Sequence, residues 1–202
     1  MNAVGIPQPY QLSFTSGALH LHGAVIAATL YRDSSDWAAV RDALRDGNLL
    51  QARTGATSTR WARELTQRLE MLTDDEIAVV ADAMGDELSQ LVWVATCRKY
   101  TLIAEFAEEV LRERFLLMRE SVTHEHFDSF MSSKQLWHDE LASVAPTTYR
   151  KLRSNVFAML REAGLISREG IILPTLLADR VKPLLMSRVP SDIRFFPARE
   201  AA

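Results

Sequence analysis

The chain has 202 residues, 48% of them hydrophobic and 24% charged, with a formal net charge of −3. Those values describe a globular protein with room for a substantial core, and they exclude disorder, a collagen-like chain and a disulfide scaffold. The net acidity also excludes a basic coat for nucleic acid over the whole surface. Yet 19 of the 23 basic residues are Arg, whose planar fork of donors suits phosphates, guanine edges and carboxylates. A GC-rich genome would favour Arg equally, so clustering is what matters.

The one cysteine, Cys97, lies in an apolar stretch. It can form no disulfide within the chain and reads as a buried thiol of a reducing compartment. Met1 to Tyr10 lacks the basic and apolar regions of a secretory signal. The most apolar segment, Gly23 to Tyr31, is far shorter than the roughly 20 residues of a membrane helix. A soluble, cytoplasmic protein is expected.

The pattern is helical nearly throughout. Ser16 can cap a helix to about Leu30, with Leu19, Leu21, Val25, Ile26 and Leu30 on a broad apolar face. Ser35 and Asp36 open a second helix, with Trp37, Val40 and Leu44 inward, and Asp46-Gly47-Asn48 stops it. A link leads to a third helix, Thr57 to Leu72, striped by Trp61, Leu65, Leu69 and Leu72. Thr73-Asp74-Asp75-Glu76 spells a capping box before Ile77, Val80, Ala81 and Met84. Gly85 is expected to end that helix. Another runs from about Glu87 to Tyr100, and a longer one from Thr101 to Arg119 with Ile103, Phe106, Val110 and Leu117 inward.

From Thr123 three shorter helices follow: Thr123 to Met131, Ser133 to Ala142, and Pro146 to Ala163, with Pro146 suited to a first turn and Gly164 to the position past the end. Leu165-Ile166 and Ile171-Ile172-Leu173 flank a Gly-containing turn and predict a small β-hairpin. A last helix is expected over Pro174 to Ser187, kinked at Pro183, then an extended tail, Val189 to Pro197, docked by Phe195 and Phe196. The expected fold is all-α, a compact multi-helix protein with two helix-turn-helix elements. The first (residues 36–72) sits in an N-terminal lobe of residues 1–121. The second is winged-helix-like and sits in a lobe of residues 122–202.

No phosphate loop, dinucleotide fingerprint, nucleophile elbow or HExxH motif is present. His20-Leu21-His22 and His124-Glu125-His126 resemble ligand pairs, but i,i+2 positions diverge on a helix and no cysteine is near. The chain is expected to be no enzyme, with no metal and no cofactor. The Arg arrangement is more informative. Arg60, Arg63 and Gln67 share the polar face of the third helix, and Arg53 and Thr57 lie just ahead of them. Thr147, Thr148, Arg150, Lys151, Arg153 and Ser154 occupy the first turns of the Pro146 helix, where a second helix of the motif meets a groove. Solvated faces are the ordinary alternative for both groups. Acid is concentrated elsewhere, in Asp74, Asp75, Glu76, Asp82, Asp86 and Glu87.

Several stretches resemble one family. They are Tyr10 to Leu19, Asn48-Leu49-Leu50-Gln51-Ala52-Arg53-Thr54, Trp93 to Tyr100 ending in Cys97-Arg98-Lys99-Tyr100, and Glu109 to Glu113. Leu160 to Leu165 and Phe195-Phe196-Pro197 complete the set. Their order resembles BrxA, the small core protein of BREX (bacteriophage exclusion) systems, from about Tyr10 to Pro197. The resemblance implies an all-helical, non-enzymatic, double-stranded-DNA-binding component of phage defence, working beside a methyltransferase, a phosphatase-like protein and ATPases. It also brings a likeness to the RNA-binding factor NusB, and an inner-membrane label that nothing in this sequence supports. The reading is therefore a DNA-binding monomer, touching DNA through Arg53, Thr57, Arg60, Arg63, Thr147, Thr148, Arg150, Lys151, Arg153 and Ser154. A protein-protein adaptor among BREX proteins and an RNA-binding factor are the alternatives.

Overall fold

The computed structural model describes residues 8–14 and 16–199, so the reading of residues 1–7 lies outside the described residues. The described chain is helical: α1 (Leu21–Ser34), α2 (Trp37–Asp46), α3 (Gly55–Leu69), α4 (Asp74–Asp82), α5 (Asp86–Lys99) and α6 (Thr101–Phe106) come first. A π-helical segment (Ala107–Arg112) leads into α7 (Glu113–Leu116). Then come α8 (His124–Lys134), α9 (Asp139–Ala142), α10 (Pro146–Glu162) and α11 (Lys182–Met186), with a closing 3₁₀ turn (Asp192–Phe195).

Local chemistry sets most boundaries. Asp36 caps α2 by accepting from the Ala38 amide at 2.8 Å. Thr54 caps α3, two residues earlier than expected. The capping box of Thr73 and Glu76 is formed, with both reciprocal bonds present. Ser16 does not cap α1. Its amide and hydroxyl both donate to Glu64, and α1 begins only after His20, whose φ is 60°. Gly85 does not end α4; with φ 57° it opens α5.

The π segment changes which face of the long helix is buried. One added residue per turn rotates everything after it. Leu111 is consequently fully buried, whereas Leu117, expected inward, is 63% exposed. The helix expected over Ser133–Ala142 is a single turn, α9. Ser133 belongs to the end of α8, and Leu136 and Trp137 between them are each 76% exposed.

The predicted hairpin is not a pair of strands. No strand is assigned among the described residues; two isolated antiparallel bridges join Ser121 to Ile171 and Ile166 to Ile172. The turn is held by Ser167, whose amide donates to the Ile171 carbonyl at 2.8 Å and whose hydroxyl accepts from Ile171. Gly170 is required there: its φ is 86°, and a Cβ would lie 2.6 Å from the Val122 carbonyl oxygen. Only the Ile166–Ile172 bridge lies within the predicted hairpin; the other joins it to Ser121. The last helix is also shorter than expected. Pro183 starts α11 instead of kinking it, while residues 174–180 lie in non-helical backbone. Buried Gln90 holds that stretch, donating to the Leu176 carbonyl at 2.9 Å and accepting from the Ala178 amide at 3.0 Å. In the tail, Phe195 and Phe196 are buried as expected, but on a 3₁₀ turn and not an extended segment.

One hydrophobic cluster runs from Tyr10 to Ala198. The N-terminal segment reaches α10, where Asn155 donates to the Phe14 carbonyl at 3.0 Å and Glu162 accepts from the Leu19 amide at 2.7 Å. The tail reaches α5, where Trp93 Nε1 donates to the Phe195 carbonyl at 3.0 Å. Two ionic groups are embedded in this core. The Arg68–Glu64 pair on α3 is almost fully buried, and Arg68 also donates to the Ala18 carbonyl at 2.9 Å. Arg98 on α5 donates twice to Glu76, at 2.6 Å each, and to Asp192 at 2.8 Å. Burial alone would raise the Glu76 pKa. Hydrogen bonds from Arg98 and the Thr73 amide outweigh it and hold that carboxyl below its ordinary range.

Removing one member of such a group strands the others in low dielectric. Arg98→Met is therefore expected to lower unfolding free energy by about 3–5 kcal/mol, read by urea denaturation at neutral pH. His20 gives the pH dependence. Burial, then the charge of Arg68, lowers its pKa from 6.5 to about 4. The unfolded chain then binds the extra proton between those values, so this contribution is complete above pH 6.5 and is lost as pH falls toward 4. His20→Asn, which tolerates the left-handed backbone, should reduce the loss of unfolding free energy across that window by about 1–3 kcal/mol, read by urea denaturation at each pH. An unchanged slope would count against it.

Candidate nucleic-acid interface

The 17-residue α10 carries the better-formed group. Pro146 begins it, where a missing N–H costs nothing. Leu152, Val156, Phe157, Met159 and Leu160 turn inward with Asn155 and fix its rotation. The opposite face of the first turns then presents Thr147, Thr148, Arg150, Lys151 and Ser154, all exposed. No acidic residue lies in the first turn, and neither Arg150 nor Lys151 has an ion-pair partner among the described residues. Arg150 Nε donates weakly to the Pro146 carbonyl at 3.3 Å, which leaves its terminal nitrogens outward.

Arg153, expected among the contact residues, is used differently. Its Nη1 donates to both oxygens of Asp128 on α8, at 2.9 and 2.6 Å. Tyr149 donates its hydroxyl to the same carboxylate at 2.8 Å, and burial together with this bond raises the phenol pKa. Arg153 therefore fastens α10 to α8 with its charge already neutralised. Nearby, burial first and then the charge of Arg153 depress the pKa of His124, with Asp128 opposing and Arg161 adding to the shift.

The α3 group divides likewise. Arg53 is exposed in the link before the helix. Thr57 is taken up by the cap, its amide donating to Thr54 Oγ1 at 3.2 Å and its hydroxyl accepting from Thr54 at 2.9 Å. Arg60 and Arg63 are exposed on one side of α3 and line a cleft of about 400 Å³. Lys99, at the end of α5, joins them there. Periodicity within α3 could not reveal Lys99, which is brought in from another helix; only its place in the Cys97–Tyr100 motif marked it. No hydrogen bond joins the α3 group to the α10 group among the described residues.

The acidic stretch is only partly solvated. Glu76 is buried against Arg98, Asp82 pairs with Arg32 at 3.1 Å and Glu87 with Arg180 at 3.2 Å. Among the described residues no group of His, Cys, Asp and Glu could hold a metal ion, and no helix is long and apolar enough to cross a membrane. His124 and His126 lie in the first turn of α8, where His126 Nδ1 accepts from the Thr123 amide at 2.9 Å.

A family model described as BrxA matches residues 8–189. The chain belongs to the BrxA family. The BREX protein BrxA of Escherichia coli O9:H4 (strain HS) is 27% identical over 119 residues, covering 59% of this chain and 56% of the relative. The chain thus spans little more than half the length of that relative. The BREX protein BrxA of Paramagnetospirillum magneticum (strain ATCC 700264 / AMB-1) is 25% identical over 158 residues, covering 78% of this chain and 79% of the relative. A crystal structure of an uncharacterized protein from Magnetospirillum magneticum superimposes with a TM-score of 0.80 at 22% identity, over 93% of this chain and 97% of that one. That likeness establishes a shared fold.

The different uses of Arg153 and Lys151 are measurable. Asp128→Ala should cost about 1 kcal/mol of stability, less than a buried pair because Asp128 is 42% exposed. Lys151→Ala should change stability by less than about 0.5 kcal/mol. Equal effects in urea denaturation would contradict the assignment.

Proposed function

We propose that this protein is a non-catalytic, double-stranded-DNA-binding component of a BREX phage-defence system, acting as a monomer beside other BREX proteins. The observation that carries the reading is the outward face of α10: Thr147, Thr148, Arg150, Lys151 and Ser154 exposed together, with both cations unpaired among the described residues. A helix N-terminus adds amide donors and a positive dipole end for phosphates. The order α8, α9, α10, then a bridged turn supports a winged helix-turn-helix, in which the turn around Gly170 serves as a minimal wing. The α2–α3 pair supports the other helix-turn-helix element. Ser58 on α3 donates to the Arg45 carbonyl at the end of α2 at 3.2 Å, fixing the two helices, and Arg53, Arg60 and Arg63 face outward from it.

Backbone contact of this kind is tolerant of sequence, because phosphates position a protein without carrying base information. The family membership supports the BREX assignment, since the two relatives described above are named BREX protein BrxA. An adaptor role is the second reading. It is favoured by the exposed Leu136 and Trp137 between α8 and α9, each 76% exposed, because large exposed apolar side chains mark interaction surfaces when they cluster.

With Arg53, Arg60, Arg63, Arg150 and Lys151 on phosphates, log affinity for duplex DNA should fall against log salt with a slope of about −4 to −5. The double variant Arg150→Glu, Lys151→Glu should weaken binding to every duplex alike and reduce the slope by about 2. A salt-titrated gel shift reads both. A flat salt response, or co-purification of BREX partners after nuclease treatment with no shift, would favour the adaptor. Tighter binding to structured RNA in competition would favour the RNA reading.

A further inference from the structure

The cleft beside α3 is better built than an exposed pair of arginines requires. Arg60 and Arg63 line it from α3 and Lys99 from the end of α5. None of the three has an ion-pair partner among the described residues. The one acid in the lining, Glu64, is already bound to Arg68 and to Ser16. The lining therefore carries an uncompensated positive charge in a concavity, where low-dielectric walls strengthen attraction for an anion.

The decisive feature is Tyr100. It also lines the cleft, its side chain is fully buried, and its hydroxyl makes no hydrogen bond of normal geometry. Burial raises its pKa; the charge of Arg68 opposes this, the charge of Glu64 adds to it, and the Arg68 and Ser13 side chains beside the phenol oxygen oppose it again. The phenol is therefore protonated at neutral pH and is a donor without an acceptor. Buried hydroxyls in native proteins are nearly always satisfied, so an orphan calls for a partner. Gln67, half-buried in the same lining, adds an amide donor. Three cations, a tyrosine and an amide side chain line a space of about 400 Å³. That volume holds a phosphate group with part of its ester, but not a duplex.

We propose that this cleft is a seat for a single phosphate group, with Arg60, Arg63 and Lys99 supplying charge and Tyr100 a hydrogen bond. The phosphate can arrive on a small phosphorylated molecule or project from a nucleic-acid end. The seat shares Arg60 and Arg63 with the proposed DNA contacts but not the outward face of α10, so variants of Arg150 and Lys151 separate failure of the seat from failure of the DNA reading.

The experiment uses the full chain and follows Tm and titration calorimetry. The probes are inorganic phosphate, thymidine 5′-monophosphate, unphosphorylated thymidine, and blunt duplexes with and without 5′-phosphates. Sodium chloride of matched ionic strength is the control. Inorganic phosphate and the nucleotide should raise Tm saturably, and thymidine and chloride should not. Tyr100→Phe removes only the unpaired hydroxyl, so it should fold normally and bind phosphate about tenfold more weakly. The triple variant Arg60→Ser, Arg63→Ser, Lys99→Ser should lose the response, with circular dichroism confirming its fold. Preference for the 5′-phosphorylated duplex would identify a nucleic-acid end as the source. Equal duplex binding with a saturable nucleotide response would identify the small molecule. Arg150→Glu, Lys151→Glu should keep the phosphate response while weakening duplex binding. No saturable response, or the same response in the wild type and the triple variant, would overturn the seat, whatever duplex binding shows.

Discussion

Arg98 ties three separate parts of the chain to one point. Its guanidinium reaches Glu76 on α4, the Met71 carbonyl before that helix and Asp192 near the C-terminus. All three charged side chains are at most 6% exposed. Glu76 is itself half of the capping box that starts α4. A helix start, a central helix and a tail therefore share one set of charge-assisted bonds. Such a group costs desolvation and returns it only when complete, which is why α4, α5 and the closing turn have so little freedom to sit elsewhere.

That arrangement explains what the resembling motifs are for. Arg98 and Tyr100 of Cys97-Arg98-Lys99-Tyr100 are interior, one in the clamp and one against α3. Asn48 in Asn48-Leu49-Leu50-Gln51-Ala52 both donates to and accepts from the backbone of Ala52, closing the loop that sets up the Thr54 cap. Glu162 of Leu160–Leu165 receives the Leu19 amide. The family pattern is, at these positions, a pattern of fold closure, and the outward-facing Arg150 and Lys151 lie outside it.

Helix content and most helix starts were legible, because caps and apolar stripes are local: Asp36, Thr73 and Pro146 each act within a few residues. What could not be read depended on partners far along the chain. Arg153 looked like its neighbours Arg150 and Lys151 until Asp128 was placed beside it, 25 residues away. Ser16 had the chemistry of a cap, but Glu64 claimed it. Leu117 followed the apolar spacing of an ideal helix, and the π segment broke that spacing. The hairpin was misjudged for a different reason. Its residues do pair, but only through single bridges, since the flanking apolar runs are too short to propagate a ladder.

The docking of the tail on α5 also orders events in time. Phe195, Phe196 and Ile193 fill the centre of the cluster that α5 helps to form, and Asp192 completes the Arg98 clamp. A chain emerging from the ribosome has α5 in hand about a hundred residues before the segment that covers it. Until residues 192–195 arrive, Trp93 lacks the acceptor for its indole N–H and Arg98 lacks its second carboxylate. The closing turn thus completes the interior around α5, and translation halted near residue 190 would leave both of these bonds unmade.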